Sequence, residues 1–132
     1  MRLRATLKQS EFAMSKKRPS LKHPRARAFA AQNGRCYHCR QPMWKNDPVA
    51  FCNRYGITQR QARAFQCTGE HLRPHKDGGE VSTSNIVAAC HCCNQRRHRG
   101  RKSELAPPDY RALVMKRMAQ GQWHPLRLGA SG

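Results

Sequence analysis

Apolar positions along this chain are sparse and fall in short runs broken by proline, glycine and charge. From Met1 to about His23 no hydrophobic stretch is long enough to act as a secretory signal, and the segment reads as an arm. Pro24 opens a short helix through Arg25 to Gln32 with Phe29 inward, and Asn33-Gly34 supplies a left-handed stop. Residues Gln41 to Asn53, interrupted by Pro42 and Pro48, read as irregular. Thr58-Gln59-Arg60-Gln61 fits a capping box and predicts a helix from Gln59 to about Phe65. Cys67 to Leu72 reads as a short strand, and Arg73 to Ser84, with Pro74 and Gly78-Gly79, as a loop. Asn85 to Ala89 is apolar enough to pair back on that strand, although a helical turn fits equally well. A polar, basic helix is expected from Cys93 to about Gly100. Beyond Pro107-Pro108, Asp109 caps a helix in which Tyr110, Leu113, Val114, Arg117 and Met118 share one face, a stripe that predicts packing on the core. No internal repeat is visible.

Composition sharpens this picture. Leu, Ile, Val and Phe number 18 among 132 residues, below the roughly 20% under which chains usually stay unfolded. A large hydrophobic core is excluded, so something besides burial must hold the domain together. Seven cysteines are the obvious candidates. Lys and Arg outnumber Asp and Glu by 26 to 7, a field that repels itself unless a polyanion neutralises it, which makes nucleic acid the leading partner. Residues 1 to 35 alone carry ten basic side chains against one acid, Glu11. An organelle transit peptide has a similar composition, but a solvated nucleic-acid-binding arm accounts for it better. No segment approaches the roughly 20 apolar residues of a membrane span.

The cysteines include two Cys-x-x-Cys pairs, Cys36-Tyr37-His38-Cys39 and Cys90-His91-Cys92-Cys93. This spacing lets two sulfurs of one tight turn reach a single ion, and the two pairs together form the closed tetrahedral set of a structural zinc site. An odd cysteine count and paired spacing suit a metal in a reducing compartment better than a disulfide framework. Cys52, Cys67 and Cys92 are left as small packing residues. The pairs stand much further apart than the roughly 15 to 20 residues of a zinc ribbon, so the chemistry is expected inside the segment they enclose.

That segment contains Cys67-Thr68-Gly69-Glu70-His71-Leu72-Arg73-Pro74, then Gly78-Gly79, Ser84-Asn85-Ile86, and Cys90-x-x-Cys93-Asn94. Over roughly residues 35 to 102 this text resembles the HNH, or ββα-metal, endonucleases of the four-cysteine, zinc-knuckle type. The resemblance implies an α+β fold: a small ββα-metal domain with a structural zinc knuckle of four cysteines and flanking helices. Its domains would be a basic arm (1–23), the nuclease domain (24–104) and a C-terminal helix and tail (105–132). It further implies a metal-dependent endonuclease acting on DNA. His71 would be the general base, Glu70 and Asn94 ligands of a catalytic divalent ion, and Asn85 a brace for the loop that orients His71. His98 lies at i+4 from Asn94 and is a candidate third ligand. Two departures from the common pattern are Glu70 in place of Asp and Asn94 in place of His. Both residues present oxygen donors, which suit magnesium or manganese rather than zinc at that ion.

The chemistry favours such a set. Phosphodiester hydrolysis needs a water deprotonated near neutral pH, an in-line attack and a counter-charge for oxygens that become more negative. Imidazole supplies the first and a divalent cation the last. Arg73 and Lys76 flank the expected base, and Arg96, Arg97, Arg99, Arg101 and Lys102 follow Asn94, a density that reads as phosphate clamping. His38, His75 and His91 lack partners at diagnostic spacing and are read as surface or supporting residues. Tyr37, Trp44 and Phe51 suit base stacking, but packing explains them as well or better.

A non-catalytic zinc module that binds nucleic acid accounts for the charge and the cysteines but leaves Glu70-His71, Asn85 and Asn94 unexplained. A nuclease fold kept only for binding or packaging is a third reading. The expected setting is cytoplasmic and nucleoid-associated, with phage or mobile-element origins open, as is the choice between monomer and homodimer.

Overall fold

The computed structural model describes residues 20–73, 85–100, 102 and 105–128. Most of the arm, together with Lys76, the Gly78-Gly79 loop and Arg101, lies outside the described residues. The elements run α1 (Lys22–Ala31), α2 (Pro48–Tyr55), α3 (Gln59–Ala62) with a 3₁₀ turn (Arg63–Phe65), β1 (Cys67–His71), β2 (Ile86–Cys90), α4 (His91–Arg97) and α5 (Pro107–Ala119). Helices around one two-stranded antiparallel sheet give the expected α+β class, and the order β1-β2-α4 is the ββα unit.

The sheet register sets Cys67 opposite Cys90, Glu70 opposite Val87 and His71 opposite Ile86. Between the two expectations for Asn85 to Ala89, the strand prevails. β2 is buried along its whole length, and such a short apolar run is best accommodated where both faces are covered. Its outer edge is also occupied. The Gln32 amide donates to Ala88 O at 2.8 Å and accepts from Ala88 N at 3.0 Å, and Tyr37 N also donates to Ala88 O.

α1 begins at Lys22, two residues before Pro24, and ends as expected through Asn33 and Gly34 at φ 56° and 72°. The irregular stretch foreseen around Pro48 is instead helix α2. Pro48 stands in its first turn, where a missing N–H costs nothing; Asp47 caps it by accepting from Val49 N at 2.9 Å, and Gly56 ends it at φ 65°. The capping box forms in both directions between Thr58 and Gln61. α4 is shorter than foreseen, ending at Arg97.

The core is small and divided. Six of the seven cysteines join Met43, Ala88, Ala89, Tyr110, Val114, Met118 and Trp123 in one cluster, while Phe51, Cys52, Ala62, Phe65 and Leu128 form another. Of the stripe foreseen on α5, Tyr110, Val114 and Met118 are buried while Arg117 stays exposed. The Tyr110 hydroxyl donates to Cys93 O at 2.6 Å, fixing α5 on the knuckle. Among the described residues no helix is long and apolar enough to cross a membrane.

Candidate metal centres and active site

Cys36, Cys39, Cys90 and Cys93 are all buried, and their sulfurs lie within 4.8 Å of one another. The first pair rides the tight turn after α1. The second spans the β2–α4 junction, where Cys90 caps α4 by accepting from Cys93 N. Backbone N–H groups of His38 and Cys90 also point at Cys36 Sγ, at 3.4 and 3.3 Å. Burial opposes ionisation of Cys36, yet hydrogen bonds from the other three sulfurs and the field of His38 hold it well below the usual thiol value. Burial and the hydrogen bonds shared within the cluster then push Cys90 and Cys93 well up. Four thiols competing for protons in one dry pocket become four thiolates when a divalent ion binds, which is the chemistry of structural zinc. Burial pushes Cys67 and Cys92 up to about 11, which keeps them as thiols outside the set.

The C-terminal segment closes over this cluster, a feature that sequence spacing did not reveal. Trp123 Nε1 donates to Cys93 Sγ at 3.2 Å. His124 Nε2 lies 3.3 Å from Cys39 Sγ and 3.4 Å from Cys90 Sγ, and its ring stacks on Phe65. Burial lowers the His124 pKa to about 4, so the ring is neutral.

The second constellation lies between β1 and α4. Strand alternation sends Thr68 and Glu70 to one face, where two rungs join them to the helix. Asn94 Nδ2 donates to Thr68 Oγ1 at 2.9 Å, and Arg97 donates to Glu70 Oε2 at 3.0 Å. Thr68 thereby fixes which way the Asn94 amide points: its Oδ1 faces His98 Nε2, 3.1 Å away on an exposed turn. The two side chains are thus hydrogen-bonded to each other one helical turn apart.

Glu70 is 2% exposed. Its Oε2 receives both Arg97 and His38, the latter at 2.5 Å, whereas its buried Oε1 has no hydrogen-bond partner among the described residues. A buried carboxylate oxygen without a partner is costly, and it is the atom a cation would satisfy. Carboxylate and amide oxygens with one imidazole are ligand types that a hard divalent ion accepts.

His71 ends β1, half-buried, on the strand face opposite Glu70. That face is the one Gly69 presents to α1, where a Cβ would meet Leu21 and Arg25 at 3.3–3.4 Å. Just beyond, Asn85 braces the chain, its Oδ1 accepting from Arg73 N at 2.8 Å and its Nδ2 donating to Arg73 O at 3.2 Å. Leu72 N donates to Asn85 O, adding a third rung at the loop end of the hairpin.

The basic residues divide. Arg73 and Arg99 are exposed and Lys102 is half-buried. Arg96 and Arg97, expected at a phosphate surface, are turned inward by the helical period that buries Cys93. Arg96 donates to Trp123 O and lies over the Trp123 ring, and Arg97 is 4% exposed against Glu70. The aromatic residues pack: Phe51 is buried, Trp44 donates to Ala62 O at 2.8 Å, and Tyr37 carries Arg111 over its ring. His38, read as a surface or supporting residue, is fully buried against Glu70; no spacing rule links positions 38 and 70.

Residues 52–100 match the family model described as HNH endonuclease. No curated protein and no solved structure matches the chain.

Proposed function

We propose that this protein hydrolyses phosphodiester bonds of DNA with a divalent metal ion, because residues 52–100 match the HNH endonuclease family model and a buried four-cysteine cluster ties that segment to the turn at Cys36 and Cys39. The observation that carries the reading is the buried Glu70 Oε1 without a hydrogen-bond partner among the described residues, on the strand face that packs against α4, the helix that carries Asn94 and His98. Those three residues would hold magnesium or manganese, and zinc would fill the cysteine cluster. When bound, the catalytic ion supplies positive charge for the phosphate oxygens and for the leaving 3′ oxygen.

His71 takes the proton of the attacking water. In-line displacement places nucleophile and leaving group on opposite sides of the phosphorus. His71 and Glu70 meet that demand where the twist at the loop end of the hairpin brings both strand faces to one cleft, with a phosphodiester seated across it. Asn85 keeps this end rigid through Arg73. Arg73, Arg99 and Lys102 would meet backbone phosphates, contacts that set affinity rather than sequence preference; Lys76 and Arg101 belong to the same proposal.

The engagement of Glu70 by His38 and Arg97 favours a second reading, a zinc module that binds nucleic acid without cutting it. Plasmid nicking with magnesium, manganese or nickel separates the two. The wild type should relax supercoiled DNA, and His71→Ala should bind the same DNA and lose at least a hundredfold of the rate, in line with a general base. Equal nicking by both proteins removes His71 as base, and no nicking by either favours the binding module.

A further inference from the structure

His38 belongs to the turn that carries the zinc ligands Cys36 and Cys39, yet its imidazole points out of the cluster and into the β1–α4 interface. The ring is fully buried, held edge-on by Tyr37 and Tyr110 at centroid distances of 5.2 and 4.9 Å. Its Nε2 lies 2.5 Å from Glu70 Oε2, while its Nδ1 is buried with no hydrogen-bond partner among the described residues. A buried N–H without an acceptor costs more than a buried lone pair without a donor. Nε2 is therefore the ring atom that donates to Glu70.

Arg97 reaches the same Oε2 from α4. Two donors from two different elements thus converge on one carboxylate oxygen and leave the other unclaimed. Fixing one oxygen fixes the rotation of the whole group, so Oε1 is aimed by contacts to Oε2. An acid held by Arg97 alone would be free to turn its two oxygens about.

We propose that His38 is a positioning residue that aims Glu70 Oε1 at the catalytic ion, so that the zinc knuckle sets the geometry of the second metal site. The inference rests on the reading of Glu70 as a ligand. Supporting hydrogen bonds of this kind are worth about 10- to 100-fold in metal affinity. The role asks for an N–H at that place, not for an imidazole as such.

The test is manganese binding by the zinc-loaded full chain, followed by the loss of the free Mn2+ electron paramagnetic resonance signal, with zinc content measured on the same samples. His38→Met, which fills the space without a donor, should bind Mn2+ at least tenfold more weakly while retaining its zinc. His38→Gln, which restores an N–H, should come back to within about threefold of the wild type. Should His38→Met lose zinc, His38→Asn takes its place, with an amide that stops short of Glu70. Unchanged Mn2+ affinity in a zinc-retaining donorless variant overturns the positioning role alone, as does a loss in His38→Gln equal to that in His38→Met. Absence of Mn2+ binding by the wild type overturns the metal-site reading, and this role with it.

Discussion

Replacing Arg97 by methionine removes one of the two donors on Glu70 while keeping most of the side-chain volume. An exposed ion pair would be worth less than about 1 kcal/mol. Here the side chains are 5% and 1% exposed and the contact is 3.0 Å, so water cannot take over the role of the lost partner. Breaking a buried pair by removing one member costs about 3–5 kcal/mol. His38 still donates to the carboxylate, so a loss near 3 kcal/mol is expected, a large part of the roughly 5–15 kcal/mol that holds a domain together. Urea unfolding of the zinc-loaded protein, followed by tryptophan fluorescence, reads this directly. The Glu70→Gln, Arg97→Met double variant should recover about 1–2 kcal/mol of the loss, because the uncompensated charge disappears with the carboxylate. A single-variant loss under about 1 kcal/mol, or a further loss in the double variant, would show that Glu70 is solvated and refute the reasoning.

Two further perturbations test the scaffold. Cys36→Ser, or strong chelation of the wild type, should abolish cooperative thermal unfolding, since structural zinc supplies on the order of 10 kcal/mol to a core this small; calorimetry showing a full metal-free transition would contradict it. Gly34→Ala should cost about 1–2 kcal/mol in a urea titration, because its φ of 72° is left-handed and the added methyl would lie 3.3 Å from the Phe29 ring; an unchanged midpoint would mean that the turn has relaxed.

Local rules carried much of the fold. The Asn33-Gly34 stop, the Thr58–Gln61 box and the two Cys-x-x-Cys pairs are each written within a few residues, and each forms. Helix α2 was legible too, in Asp47 as cap, Pro48 in the first turn and Gly56 as stop, but a proline near Pro42 in a polar stretch reads as a breaker as readily as a starter. What escaped was long-range. The pairing of His38 with Glu70 spans 32 residues and the contact of His124 with Cys39 spans 85. Neither has a period or spacing to betray it, because both exist only once the knuckle has closed. The inward turn of Arg97 was obscured in a similar way: in a dense run of basic residues, composition suggests a solvated face, and only the packing of α4 on β1 shows which guanidinium finds a buried acid.

The central claim is that Glu70, Asn94 and His98 serve one ion distinct from the zinc of the knuckle. Anomalous diffraction from crystals grown with manganese measures this directly, with data collected on either side of the zinc and manganese edges. A zinc peak is expected among Cys36, Cys39, Cys90 and Cys93, and a manganese peak within bonding distance of Glu70 Oε1, Asn94 Oδ1 and His98 Nε2. A zinc peak alone, with Glu70 still closed on His38 and Arg97 at saturating manganese, would contradict it.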